Sequence, residues 1–240
     1  MRRALAPLFL GFVMPLTAGA QEPSSWCFTG YHPGETQGTV AFPEGDLFCP
    51  LLADPKAERS FLSIQRGDFP SLTDAGGEAE VTLGSVGLGD AFPLVRFGGG
   101  PAGNGVQLGL VGAIFAQFNL DAPSFDLINA DYMVGLPLTL RWGGFSTRLR
   151  LYHQSSHLGD EFLLGTTLER ENLSFEAVEL MLSQELGPLR AYGGGERLFN
   201  REPSTLDAYV VHGGLEARLG DPSGARLVAA GDVKTSEEQD

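Results

Sequence analysis

Cysteine is nearly absent from this 240-residue chain: Cys27 and Cys49 are the only two. Even with the nearby His32 they are too few to complete a zinc site, and they cannot knit a disulfide-dense scaffold. Basic residues are scarce as well. Sixteen Lys and Arg stand against thirty Asp and Glu, a balance that argues against a phosphate-backbone partner such as nucleic acid. Long apolar runs are missing too. Past the first twenty residues no stretch approaches the ~18 apolar residues of a membrane-spanning helix, so any bilayer crossing falls to β-strands, which span with about 9–11 residues of alternating character.

What the N-terminus does contain is an export signal. Arg2 and Arg3 form a basic start, an apolar run extends from Ala4 to about Leu16, and Ala18-Gly19-Ala20 supplies small residues for cleavage. Pro7 and Pro15 interrupt the run, which disfavours a retained anchor, and no cysteine stands at the cleavage point to carry a lipid. The expected organisation is a signal peptide over residues 1–20, an N-terminal periplasmic segment over 21–56, and a barrel over 57–240. In an oxidising periplasm Cys27 and Cys49 are expected to pair, closing a loop ahead of the barrel.

Glycine and proline, 33 and 15 residues respectively, cut the remainder into short pieces. That punctuation favours β over α. Strands are predicted over Arg59–Arg66, Glu80–Phe97, Gly105–Phe118, Asp131–Trp142, Phe145–Ser156, Leu173–Leu186, Leu189–Phe199, Leu206–Leu219 and from Ala225 onward. Phe175–Leu186 also fits a helix in isolation. Connections alternate in length: Gly143-Gly144 and Gly187-Pro188 are tight, whereas Gly67–Ala79, Asn119–Ala130 and His157–Asn172 are long. Short turns on one side and long loops on the other predict an all-β, antiparallel up-and-down transmembrane β-barrel of the outer membrane. A soluble β-sandwich has no reason to sort its loops this way. The chain stops at Glu237–Asp240 without a closing strand or terminal aromatic, so the barrel is expected to be incomplete at its C-terminus.

Period-two alternation tests this more sharply. Folding at Gly143-Gly144 sets Leu138 opposite Leu149, Leu136 opposite Leu151 and Val134 opposite His153, one aliphatic face. The other face carries Thr139, Arg141, Arg148, Arg150 and Gln154, as a watery lumen would. Trp142 and Phe145 are expected in the periplasmic aromatic girdle, and Tyr132 and Tyr152 in the outer one. Pro137 is awkward inside a strand because it removes a ladder hydrogen bond.

The runs Asp121–Asp131 (DAPSFDLINAD), Val134–Leu140 (VGLPLTL) and Arg148–Leu164 (RLRLYHQSSHLGDEFLL), with Cys49–Pro55 (CPLLADP) upstream, resemble a bacterial family catalogued as domain of unknown function 1207. That family is grouped with outer-membrane barrels. The resemblance implies fold and location, with the barrel-assembly machinery and outer-membrane lipid or lipopolysaccharide as partners, and it carries no established activity.

The polar cluster His153–His157 interrupts the aliphatic face. Matching Leu149 with Leu180 and Leu151 with Val178 sets His153 opposite Glu176 and Ser155 opposite Ser174. A serine beside a histidine held by a carboxylate can become a nucleophile. The His-x-Ser spacing resembles that of outer-membrane phospholipase A and lipid A deacylase. The resemblance implies Ser155 as nucleophile, His153 as base and Glu176 as its orienting acid in a serine-type lipid esterase. The blander reading, that the cluster marks the start of a polar loop, is favoured because three residues are a weak motif. Asp121, Asp126 and Asp131 in one long loop, with Asp160 in another, are candidates for Ca²⁺, against a plainly solvated acidic surface. Gly193-Gly194-Gly195 lacks a phosphate-loop context and is read as a bend or a close approach inside the barrel. Three function classes follow, in order: a structural or ligand-binding barrel, a lipid hydrolase, and a diffusion channel.

Overall fold

The computed structural model describes residues 38–68, 80–98, 104–165, 173–220 and 226–236. The expected signal peptide over residues 1–20 and Cys27 lie outside the described residues. The elements are β1 (Gly38–Ala41), β2 (Phe61–Asp68), β3 (Glu80–Gly98), β4 (Gly105–Asn119), β5 (Leu127–Trp142), β6 (Phe145–Leu158), α1 (Asp160–Gly165), β7 (Leu173–Leu186), β8 (Leu189–Glu202), β9 (Tyr209–Gly220) and β10 (Arg226–Ser236). From β3 onward each strand pairs antiparallel with the next, and among the described residues the sheet is an open half-barrel. The far edge of β3 is shared: β1 pairs with Val95–Gly98, and β2 pairs with Glu80–Gly87.

Local chemistry accounts for the hairpins. Gly143 and Gly187 adopt φ of 58° and 59°, a left-handed conformation that glycine enters without steric cost and that a two-residue turn requires. The β5–β6 register follows the sequence expectation, with Leu138 opposite Leu149, Leu136 opposite Leu151 and Val134 opposite His153. Phe175–Leu186 belongs to strand β7, because Ala177, Glu179, Met181 and Ser183 alternate buried with the exposed Val178, Leu180 and Leu182. Pro137 sits where the β4–β5 ladder is interrupted: pairing runs from Leu108–Leu138 directly to Val111–Gly135. The missing N–H thus coincides with a missing rung.

The convex face is aliphatic. Val134, Leu136, Leu138, Leu149, Leu151, Val178, Leu180, Leu182 and Leu215 all stand exposed on it, far more contiguous apolar surface than a soluble monomer usually shows. Tyr152 corrects the girdle assignment. One residue from Leu151, it turns to the opposite face, where it is buried and donates its hydroxyl hydrogen bond to Glu196.

The concave face departs from the expected watery lumen. Arg96, Arg141, Arg148, Arg150, Arg190 and Arg218 are all buried on it, because residues 42–60 lie across it. Sequence reading places most of this stretch in a segment ahead of the barrel, whereas it packs inside. Leu47 and Leu51 are fully buried, each contributing about 1.5–3 kcal/mol by leaving water. Phe48 lies between two guanidinium groups, 4.9 Å from Arg148 and 5.1 Å from Arg190. Beyond this polar zone, toward the long loops, Val111, Phe115, Met133, Phe175, Ala177 and Leu198 form an apolar cluster.

Candidate functional site

Strands β6 and β7 bring the exterior polar cluster together in the expected register: Leu149 opposite Leu180, Leu151 opposite Val178, His153 opposite Glu176 and Ser155 opposite Ser174. His153 Nδ1 and Glu176 Oε1 lie 3.2 Å apart, with both side chains about two-fifths exposed or less buried than the interior groups, at 44% and 35%. The second oxygen, Glu176 Oε2, is buried without a hydrogen-bond partner. Ser155 shares this face two residues from His153, but among the described residues its hydroxyl makes no hydrogen bond to the imidazole or to any other group. The expected contact of His153 with Glu176 is therefore present, and the expected contact of Ser155 with His153 is not. Ser156 points the other way and donates to Asp131 Oδ1 at 2.5 Å. His157 is exposed, its ring 5.8 Å from that of Tyr132.

The acidic residues proposed for Ca²⁺ do not converge. Asp131 is not a loop residue: it lies in β5, buried, paired with Lys56 and accepting from Asn129 Nδ2 at 2.7 Å. Asp121 accepts from the Thr82 N–H at 2.7 Å, and Asp160 opens the short helix α1. Among the described residues the grouping with metal-ligand spacing is instead Glu179, Glu196 and His212, all buried.

The interior assembly is more extensive. Arg96 donates to the carbonyl oxygens of Glu44 at 2.9 Å and Gly45 at 2.5 Å, and Arg190 to that of Cys49 at 2.9 Å. In the reverse direction the Leu52 N–H donates to Glu216 Oε1 at 2.8 Å. Glu58 receives Arg148 at 2.9 Å and Arg150 at 3.3 Å, and both arginines also hold Glu179. Although burial alone would raise its pKa, these two guanidinium groups keep the Glu58 carboxyl below the ordinary range. The balance is reversed at Asp46. Burial, with Glu58 and Asp90 nearby, pushes its carboxyl up to about 6, partly opposed by Gln107 and Arg96. Asp46, Phe48, Glu58, Gln107, Thr139 and Arg148 border a small cavity of about 20 Å³, room for a single water.

The fold and both polar assemblies can now be set beside known proteins. The family described as "Protein of unknown function (DUF1207)" matches residues 29–240. The chain belongs to the DUF1207 family. No curated protein and no solved structure matches it. The match starts well before β1, so the segment over 42–60 is part of the DUF1207 domain, together with the strands that it covers.

Sequence reasoning missed this DUF1207 interior assembly for a physical reason. Residues 42–60 show no period of 2 or 3.6, and their partners lie as far as 164 positions away. A usable signal was present nonetheless: Arg148 and Arg150 alternate with leucines on one strand, as Glu179 does on the next. Buried or not, such charges need partners. Cys49 is buried, and its expected partner, Cys27, lies outside the described residues.

Proposed function

We propose that this DUF1207 protein is an outer-membrane β-barrel whose own N-terminal segment fills its interior, and that it serves a structural or lipid- and ligand-binding role rather than conducting solutes. The observation that carries this reading is the division of faces. Aliphatic side chains stand exposed on the convex side, while buried arginines on the concave side are taken up by the carbonyls and carboxylates of residues 42–60. An exposed apolar band suits hydrocarbon, and a filled lumen does not suit diffusion. The signal peptide read from residues 1–20 supports export. The test is fractionation of the full-length protein from its host: recovery with outer membranes, heat-modifiable migration on a gel and no swelling of sugar-loaded proteoliposomes are expected. Recovery as a soluble periplasmic protein would refute the location, and solute passage would refute the filled interior.

A second reading is favoured by one specific contact, the 3.2 Å approach of His153 Nδ1 to Glu176 Oε1 on the aliphatic face. In this reading Ser155 attacks an acyl ester of an outer-leaflet lipid, His153, oriented by Glu176, takes the serine proton and passes it to the alcohol that leaves as the ester C–O bond breaks, and water then hydrolyses the acyl-serine. Purified protein assayed on phospholipid and on lipid A, with and without calcium, decides it. Turnover abolished in Ser155→Ala and His153→Ala is expected. Activity unchanged in Ser155→Ala, or absent from the parent protein, removes this reading.

A further inference from the structure

The grouping of Glu179, Glu196 and His212 comes from three adjacent strands, β7, β8 and β9, whose inward positions fall side by side. Glu179 pairs with Glu196 across β7 and β8, and His212 lies opposite Gly194, two residues from Glu196, across β8 and β9. One ligand atom from each lies within 4.8 Å of the others, and all three residues are buried. Three further observations bear on what sits between them.

The first is that His212 Nε2 is buried with no hydrogen-bond partner, and the His212 side chain is only 1% exposed. Among the described residues nothing satisfies that nitrogen, which leaves its lone pair open to a ligand. The second is that the other ring nitrogen, Nδ1, lies 3.4 Å from Asp232 Oδ2 on β10. A carboxylate on Nδ1 fixes the tautomer that leaves the Nε2 lone pair free, the second-shell arrangement that metal-ligating histidines recurrently show. The third is charge. The network linking Glu58, Glu179, Glu196 and Asp232 is met by Arg148, Arg150 and Lys234. Four buried or part-buried carboxylates thus face three cations beside His212.

We propose that Glu179, Glu196 and His212 bind a divalent transition cation of the zinc class. One imidazole and two carboxylates suit such an ion better than calcium, which takes oxygen ligands alone. Metal–ligand bonds near 2.1 Å place the ligand atoms of a tetrahedral site about 3.4 Å apart, within the spacing seen here. Glu179 Oε2 already accepts from both Arg148 and Arg150, but Oε1 accepts only from Arg148 and has a second lone pair to offer. Glu196 accepts from Lys234 at 3.0 Å through Oε1 and from the Tyr152 hydroxyl through Oε2. Lys234 is 41% exposed on the edge strand, so it is the group that a metal displaces. Three protein ligands leave the remaining coordination position to water or to a ligand that reaches the barrel interior.

Cobalt(II), whose visible spectrum reports imidazole and carboxylate coordination, is the probe. Titrated into full-length purified protein, it is expected to bind at one equivalent with new visible bands, and zinc is expected to bleach them. His212→Gln is expected to weaken binding by at least 100-fold, and Asp232→Asn, which leaves all three ligands in place, by about 10- to 100-fold. Lys234→Met, by freeing Glu196, is expected to tighten binding, an effect that a purely structural role for these residues does not produce. Heat-modifiable migration of each variant monitors folding. If the folded parent protein gives no cobalt bands, or if Lys234→Met and Asp232→Asn bind as the parent does, the grouping holds only a proton or a water and the proposal fails.

Discussion

Glu58, in the segment that crosses the concave face, gives one carboxylate oxygen to Arg148 and the other to Arg150, two inward residues of the same strand. Since both arginines also share Glu179, the wall carries two guanidinium groups for one of its own carboxylates, and the second carboxylate arrives from residues 42–60. Glu58→Ala is therefore expected to release that segment. Removing one partner of a buried ion pair costs roughly 3–5 kcal/mol, and the remaining contacts to Glu179 should reduce this to about 2–3 kcal/mol. Limited proteolysis within residues 42–60, together with thermal unfolding, reads the change. Cleavage no faster than in the parent protein would show that the pair does not hold the segment.

Asp46 makes seating of the same segment depend on pH. Its folded carboxyl titrates at about 6 against an ordinary value of 3.8, so the folded state holds more protons between those values. The Asp46 contribution to stability is accordingly full below the ordinary value and lost as pH rises through about 6. Glu58, with its lowered pKa, works in the opposite direction, so the variant isolates the effect. Asp46→Asn is expected to be more stable than the parent at pH 7.5 and to lose that advantage by pH 4. A parent-minus-variant difference in Tm that is flat across this range would contradict the assignment.

Adjacent glycines on β8 should respond in opposite ways. A Cβ at Gly194 would overlap the Leu180 carbonyl oxygen and approach Met181 Sδ to 2.5 Å, whereas one at Gly193 meets nothing nearer than the His212 carbonyl oxygen at 3.8 Å. Gly194→Ala is expected to destabilise by about 1–3 kcal/mol or more, because backbone cannot give way as a side chain can. Gly193→Ala should lie within about 0.5 kcal/mol of the parent. Urea unfolding of the two variants makes the comparison, and equal midpoints would overturn it.

The proposed outer-membrane location makes Leu149 a particularly sensitive position. It stands between Leu138 and Leu180, midway along the aliphatic band, while Trp142 stands at the turn. Leu149→Arg is expected to cost about 2–4 kcal/mol in folding into lipid vesicles, and Trp142→Arg about 0–1 kcal/mol. Equal costs at the two positions would argue that no hydrocarbon layer surrounds this face.

The strands and their register were legible because they rest on near-neighbour rules. Two glycine turns fix the β5–β6 and β7–β8 hairpins, and alternation of leucine with arginine or glutamate excludes odd shifts of β6 against β7, leaving the observed pairing or one slipped by two residues, with Glu176 opposite Ser155. His153 opposite Glu176 belongs to the first of these. Asp131 was misplaced because β5 begins at Leu127, four residues earlier than its apolar pattern suggests, its first turns being shielded by Lys56 and Ser156. The His212 grouping was not legible at all. Glu179, Glu196 and His212 come from three strands, and it is the joint register of β7, β8 and β9 that sets them side by side.

Residues 42–60 are anchored at both ends to the same strand, since β1 and β2 each pair with β3. The segment is thus a handle riveted to the wall rather than a stopper resting in it. It cannot be pulled free while both rivets hold. Its seating is therefore tied to the pairing of β1 and β2 with β3. Any ligand that gains the interior must bend the handle in place, breaking arginine contacts one by one, instead of expelling it.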